Sequence, residues 1–303
     1  MKASPQVTVS IATKDRPEDL AETLRQLKQF GLDEAPILIL DDGSSPPISE
    51  RHIDGLPNAK LLRLTEPHGQ ASGRNRIARE AETPYLLQLD DDSFPIEGKI
   101  DDIVSALDSE PDRIAIAIPM EEPSRNRPIP EQLLYKDSIE VKSFVGCSAL
   151  LDRKKFLKVG GYAEWIGGWG EEEEFCIRAL REGYKVTTSS ALRIRHMASS
   201  SGRSLDDIRA KSVSHHMGIW IRHAPTLTAI RKIIGLLAFA ILSDLRKGKL
   251  KTTSASVSSL LDMSHWKKRA PLEAEIMNHY LRLDHLLDFY PKITQDSDES
   301  GAN

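Results

Sequence analysis

Short apolar runs alternate with amphipathic stretches along the first half of the chain, and few architectures accept that order. "VTVSIA", "PILIL", "AKLLRL", "YLLQL" and "RIAIAI" are each brief and rich in apolar residues. Between them, Leu20, Leu24 and Leu27, and later Ile100, Ile103, Val104 and Leu107, recur at helical spacing. Nearly continuous apolar runs suit strands covered on both faces, as in parallel sheets. The alternation therefore predicts an α/β fold, a mostly parallel sheet flanked by helices. The polar clusters "TKDR", "DDGSS" and "DDDS" fall where strands one, two and four stop. Ligands of such sheets bind beyond the carboxyl ends of the strands.

Further along, "SFVGCSALL" reads as a strand, "KKFLKVGGY" as a short helix ended by glycines, and "EWIGGWG" as a Gly/Trp-rich loop. "EEEEFCIRALREG" reads as a helix closed by Gly183, and "YKVTT" and "LRIRH" as short strands. A further helix is expected over "SGRNRIAREAET". Beyond Ser199 the pattern turns helical. Three parts follow: residues 1–202, a helical extension over 203–292, and a polar tail over 293–303 expected to be disordered.

Charge is uneven. The net formal charge of −4 gives the whole chain no strong pull on nucleic acid. Residues 203–292 nevertheless hold 15 Lys/Arg against 8 Asp/Glu, while residues 1–202 hold 26 against 34. An acidic body with a basic extension suggests two neighbours. Cys147 and Cys176 have neither metal-type spacing nor a disulfide framework, so a reducing compartment is expected. The first residues lack an apolar h-region, so no secretory signal is expected. The run "IIGLLAFAIL" is shorter than the roughly 20 residues needed to span a bilayer. Arg231 and Lys232 precede it, and Arg246, Lys247, Lys249 and Lys251 follow. Two readings stand: residues 230–251 lie at an anionic membrane surface, or this helix packs its apolar face on the rest of the chain.

Two acidic clusters carry the chemistry. If strand geometry persists past Leu89, period two points Asp90 and Asp92 the same way, with Asp91 as their spacer. Paired carboxylates suit a hard divalent cation; a solvated acidic turn is the competing reading. Glu171 to Glu174 suit a helix N-terminus through the macrodipole, yet they follow a Gly-Trp-Gly loop that suits a lid. Arg74 sits near a helix start, where backbone N–H groups bind anions. Trp165 and Trp169 offer flat apolar faces to a sugar ring or to a core.

The clusters taken in order, "VSIATKDR", "ILILDDGSS", "GRNRIAREAETPYLLQLDDD", "GGYAEWIGGWGEEEEF" and "RIRH", resemble glycosyltransferase family 2 over roughly residues 5–200. The helical extension looks rhamnosyltransferase-like. The resemblance implies a GT-A, Rossmann-like catalytic domain over residues 1–202. It implies transfer of a hexosyl or deoxyhexosyl group from a nucleoside-diphosphate sugar (UDP- or dTDP-linked) to an acceptor hydroxyl on a glycan or lipid-linked molecule. Mn²⁺ or Mg²⁺ would be the cofactor, and inversion the outcome. Thr13, Asp15, Arg16, Asp41, Asp42, Arg74, Asp90 and Asp91 fall on the donor side. Asp90, Asp92 and His196 fall on the metal. Glu172 stands where the family's catalytic base stands, with Glu171 beside it towards the acceptor and Glu173 and Glu174 as rival bases. Trp165 and Trp169 fall on the acceptor side. The family's usual Pro-Thr-Tyr-Asn in the first loop is here Ala12-Thr13-Lys14-Asp15, and its usual Gly-Glu-Asp is Gly170-Glu171-Glu172. These departures leave a nucleotide-sugar-binding protein without catalysis as the alternative. A cytoplasmic location, peripheral at the inner face of the membrane, and a part in cell-envelope polysaccharide synthesis complete the expectation.

Overall fold

The computed structural model describes residues 6–136, 138–198 and 204–291. The junction near 202–203 and the tail from 293 lie outside the described residues.

Strand β1 (Val7–Thr13) leads into helix α1 (Pro17–Phe30). Pro17 suits the first turn because its missing N–H would have no intrahelical partner there. Leu20, Leu24 and Leu27 form the buried face of α1. Strands β2 (Ile37–Asp42) and β3 (Ala59–Leu64) follow, then α2 (Gln70–Glu80), β4 (Tyr85–Asp90), β5 (Ser93–Gly98), α3 (Ile100–Asp108), β6 (Arg113–Ala117) and β7 (Met120–Glu121). Helix α4 (Glu131–Tyr135) and β8 (Glu140–Val141) precede β9 (Ala149–Asp152), α5 (Arg153–Val159), α6 (Glu171–Arg181), β10 (Lys185–Thr188) and β11 (Leu192–His196).

The main sheet has the order β3-β2-β1-β4-β9-β6-β10-β8. The first four strands run parallel; β9 is reversed between β4 and β6, and β8 is reversed beside β10. Ile11 lies in register with Ile39 on one side and Leu89 on the other, and all three are fully buried. Truncating such a side chain to Ala costs about 2–5 kcal/mol. The mostly parallel sheet expected from the apolar runs is therefore present. A second sheet, β5-β11-β7, pairs His196 opposite Ser93 and so carries the histidine to the end of β4.

Five helices follow: α7 (Leu205–His223), α8 (Thr226–Lys247), α9 (Lys251–Leu261), α10 (Met263–Lys267) and α11 (Ala274–Arg282). Their core includes Met217, Ile219, Ile233 and Tyr280, together with Ile166 and with Ile177 of α6. The chain then returns to the main core at Leu286 and Tyr290, where the Tyr290 hydroxyl accepts the Met120 N–H at 2.8 Å.

β5 has no counterpart in the sequence reading; its Pro95 sits at a sheet edge, where one side needs no donor. Three local expectations are corrected. The stretch "SFVGCSALL" is strand only from Ala149, because the preceding residues loop past α6. α2 begins at Gln70, ahead of the expected Ser72. Finally, the ten-residue apolar run is the middle of a 22-residue helix that is long and apolar enough, by length and composition, to cross a membrane.

Candidate active site

Strand β4 ends at Asp90, and Asp91 and Asp92 form a turn into β5. The period-two expectation therefore fails, and the three carboxylates divide differently. Arg16 donates from Nη1 to Asp91 at 2.6 Å and from Nη2 to Asp92 at 2.7 Å. Arg74 donates from Nη2 to Asp90 Oδ1 at 2.7 Å, and Gln70 Nε2 reaches the same oxygen at 2.7 Å. Two arginines thus offset the repulsion of three adjacent acids. Asp91 is more than a spacer. It is 3% exposed, accepts Thr13 Oγ1 at 2.7 Å, and its carbonyl accepts Thr23 Oγ1 of α1. Burial pushes its carboxyl up to about 7, against the pull of Arg16 and Thr13. Thr13 and Arg16, expected in the first nucleotide loop, both face this acidic turn.

The second-strand aspartates hold loops. Asp41 is fully buried, and its two oxygens accept the N–H groups of Ser44 and Ile48. Asp42 accepts the N–H groups of His68 and Gly69, fixing the entry to α2. Both carboxylates, expected on the donor side, have backbone partners. Asp15 is half-exposed and accepts the Ser45 N–H at 2.7 Å, tying the first loop to the second.

Arg74 joins the two acidic clusters. Its Nη1 donates to Glu172 Oε1 at 3.0 Å and Glu171 Oε1 at 3.2 Å, while its Nη2 holds Asp90. The guanidinium is 3% exposed, and its Nε has no hydrogen-bond partner among the described residues. Nor has Glu171 Oε2. Burial raises both Glu171 and Glu172 above the usual carboxylate range. The charge of Glu172 adds to the rise at Glu171 and that of Asp90 to both, and Arg74 pulls the other way.

The next two glutamates behave in the opposite way. Glu173 accepts from Tyr280 Oη at 2.6 Å and pairs with His216 Nε2 at 2.9 Å. Glu174 pairs with His223 Nε2 at 3.0 Å and with Arg178. Burial alone would raise both. The histidines and the other donors outweigh it and hold both carboxyls down to about 2. They fasten α6 to α7 and α11, and a strongly depressed carboxylate is a weaker proton acceptor than the raised pair before them.

Sequence reasoning missed Gly146. A Cβ there would collide with Glu172 Oε1 and both Arg74 Nη atoms. With glycine there, the loop before β9 passes that pair without displacing either side chain. Its carbonyl accepts Gln88 Nε2 at 2.7 Å. "VGC" carries no local signal for this role. Gln70 was missed for the same reason.

His196 stands at a possible cation site. Its Nδ1 lies 2.9 Å from Glu122 Oε1, and its Nε2 lies 3.4 Å from Asp92 Oδ1. Ligand atoms of Asp90, Cys147 and His196 lie within 4.8 Å of one another. The oxygen and nitrogen donors Asp90 and His196 suit a hard divalent cation, Asp92 lies beside the imidazole, and Glu122 holds the other ring nitrogen as a carboxylate partner does in metal sites. Burial raises the Cys147 thiol and keeps it protonated, and a thiol is a poor partner for Mn²⁺ or Mg²⁺.

The tryptophans separate. Trp165 is packed against His265 at 4.7 Å, with the Arg222 guanidinium 4.2 Å from its ring centroid, so it belongs to the packing of the helical extension. Of the two readings open for it, sugar contact or packing, its contacts are those of packing. Trp169 is 38% exposed just before α6, at a φ of 62°.

Comparison with known proteins agrees with this geometry. The family model described as "Glycosyl transferase family 2" matches residues 8–163, and that described as "N-terminal domain of galactosyltransferase" matches residues 134–200. No curated protein gives a significant match. Among solved structures, the chain is similar to the mannosyltransferase PcManGT of Pyrobaculum calidifontis in complex with GDP-Man and Mn²⁺. Identity is 16%, the TM-score is 0.54, and the match covers 88% of this chain and 89% of that one. It is similar to S. aureus TarS 1-349 in complex with UDP-GlcNAc, at 16% identity and a TM-score of 0.54, over 91% of this chain and 81% of that one. GalNAc-T7 with UDP, GalNAc and Mn²⁺ gives 14% identity and a TM-score of 0.60, over 95% of this chain and 56% of that one. At such identities the likeness establishes the GT-A type of fold.

Proposed function

The chain belongs to glycosyltransferase family 2, and on that premise we propose that it transfers a hexosyl or deoxyhexosyl group, with inversion, from a nucleoside-diphosphate sugar to an acceptor hydroxyl. The observation that carries the reading is the bridge through Arg74, which touches Asp90 on one side and Glu172 on the other. One buried cation thereby joins the side of the site where a diphosphate would leave to the side where a hydroxyl would attack.

The residues divide the work. Glu172 is the base. Its side chain is 16% exposed, so a hydroxyl can reach it. Its raised pKa brings proton uptake closer to neutral pH, where general-base catalysis is most effective. Arg74 holds that carboxylate in place and has an unpartnered Nε for a further anionic oxygen. Asp90, Asp92 and His196 would hold Mn²⁺ or Mg²⁺, which when bound supplies charge to the leaving diphosphate. Gln70 and Arg74 orient Asp90, and Arg16 orients Asp92. Glu171, beside the base, and Trp169, exposed at the mouth of α6, lie on the acceptor side.

The Mn²⁺-bound and nucleotide-sugar-bound relatives of similar fold support this reading. UDP- or dTDP-linked donors, a glycan or lipid-linked acceptor, a cytoplasmic setting and a part in cell-envelope polysaccharide synthesis belong to it as well.

The test is the full chain with a panel of nucleoside-diphosphate sugars, with and without Mn²⁺. We expect donor turnover, and NMR of the product should give an inverted anomeric configuration. Glu172→Gln should lower turnover about 10²- to 10⁴-fold while the donor still raises the melting temperature. Retained configuration, or a Glu172→Gln enzyme of normal rate, would sink the scheme.

A further inference from the structure

Most of the surface of α8 (Thr226–Lys247) is exposed, and only a narrow inner edge packs on the neighbouring helices. Ala229, Ile233, Ala240 and Asp244 point inward, and the Asp244 carboxylate accepts the N–H groups of Thr252 and Thr253 at the start of α9. Next to that inner edge, Leu227, Ile230, Ile234, Ile241 and Leu245 are 78%, 47%, 61%, 45% and 70% exposed, and Phe239 and Leu242 beyond them are exposed as well. The first five follow the spacing of one helical face. They form a stripe along the length of the helix, where a soluble protein normally places polar groups.

The ends of the stripe are basic. Arg231 and Lys232 stand near one end; Arg246, Lys247, Lys249 and Lys251 stand near the other, all exposed. Asp206 pairs with Lys247 and Lys249, and Asp207 pairs with Lys251. With Asp244 turned inward, the six cations still outnumber the three local carboxylates, so the surface around the stripe is positive.

We propose that α8 is an in-plane anchor that seats this stripe in the interface of an anionic lipid bilayer. The apolar stripe would enter the acyl boundary while the flanking lysines and arginines meet lipid phosphates. A transverse, spanning orientation is disfavoured although the helix is long enough for it. Spanning would strip α8 from α7 and α9 and leave the Asp244 carboxylate in hydrocarbon. The seat also has a direct mechanical link to the site. α7, which packs beside α8, carries His216 and His223, and these hold Glu173 and Glu174, one and two residues after Glu172. A bilayer-seated extension would thus place the base helix close to an acceptor presented at the lipid surface. That consequence rests on the transferase reading, whereas the anchoring itself does not.

Flotation of the full chain with vesicles separates the two. Phosphatidylcholine vesicles containing phosphatidylglycerol should carry the protein upward, and phosphatidylcholine alone should carry markedly less. Ile234→Asp combined with Leu245→Asp should lower the partition coefficient about tenfold or more. Both positions are exposed, so the variant should keep its circular dichroism and melting temperature. Arg231→Glu with Arg246→Glu should remove only the preference for anionic lipid. Because Cys147 and Cys176 are buried, a polarity-sensitive dye can be placed selectively at Ile234→Cys or Leu245→Cys. In-plane seating predicts a blue shift at both positions. Absence of flotation, undiminished binding of the double aspartate variant, or a shift at one position alone would overturn the proposal. So would a dimer in light scattering that the aspartates dissociate and that does not float. Flotation without sugar transfer would leave the anchor standing and count against the transferase reading alone.

Discussion

Arg74 donates a 3.0 Å hydrogen bond to Glu172 across a sequence separation of 98 residues, and the same guanidinium holds Asp90 at 2.7 Å. The charge that favours the Glu172 carboxylate therefore comes from a helix far away in the chain. Replacing Arg74 by Gln removes it, and burial then raises Glu172 further, opposed by a backbone N–H. The proton acceptor must be ionised to act, so activity rises with pH through its pKa. The acid limb of the kcat profile should move to higher pH by about one unit or more, measured as kcat across pH 5 to 9 in Arg74→Gln against the parent. An unmoved limb would show that Arg74 does not govern the base.

Gly146 should act through space alone. In Gly146→Ala the new methyl meets Glu172 and Arg74, whose tips are held by hydrogen bonds and have little room to yield. We expect kcat to fall about 10²-fold, the scale at which small misplacements act. The melting temperature should change by only a few degrees (roughly 1 kcal/mol). Steady-state kinetics beside a thermal melt checks this; normal turnover would mean that the pair is not held where catalysis needs it.

Glu173 and Glu174 should make the chain acid-labile. Their folded pKa values of about 2 lie below the ordinary 4.5, so the stability they contribute is present above about pH 4.5 and is lost as pH falls towards 2. Each shift corresponds to roughly 3 kcal/mol. His216 adds the reverse dependence. Burial would lower it, but Glu173 outweighs that and raises it, so its share fades as pH climbs through the raised value. Urea midpoints between pH 3 and 8 should fall steeply on the acid side. The fall should be shallower in Glu174→Gln, from a lower starting midpoint. A midpoint independent of pH below 4.5 would contradict the depressed values.

Arg16→Met should be costly to the fold itself. It leaves two buried carboxylates, Asp91 and Asp92, without their shared cation. Losing one partner of a buried ion pair typically costs about 3–5 kcal/mol. Denaturant unfolding measures it; a variant as stable as the parent would mean that the acidic turn holds its shape without Arg16.

The order of elements was legible from the sequence, because period and strand-end punctuation are local properties. So were the positions of the acidic clusters, at the ends of β4 and at the start of α6. Family membership was legible from the same motifs. What neighbouring residues do was not. Four consecutive glutamates read alike, yet successive residues of a helix point about 100° apart. Only the packing of α7 and α11 against α6 decides that Glu173 and Glu174 meet His216, Tyr280 and His223. The first two meet Arg74 for the same reason. The aspartates divided likewise: a turn at Asp91 replaced the expected strand, and Arg16 and Arg74 paired with different members. Gly146 carried no signal at all, because a close approach to Arg74 and Glu172 exists only once the chain has folded. Local periodicity thus determined where charge would accumulate, and tertiary contacts decided which charges are raised, which are depressed and which are left to do chemistry.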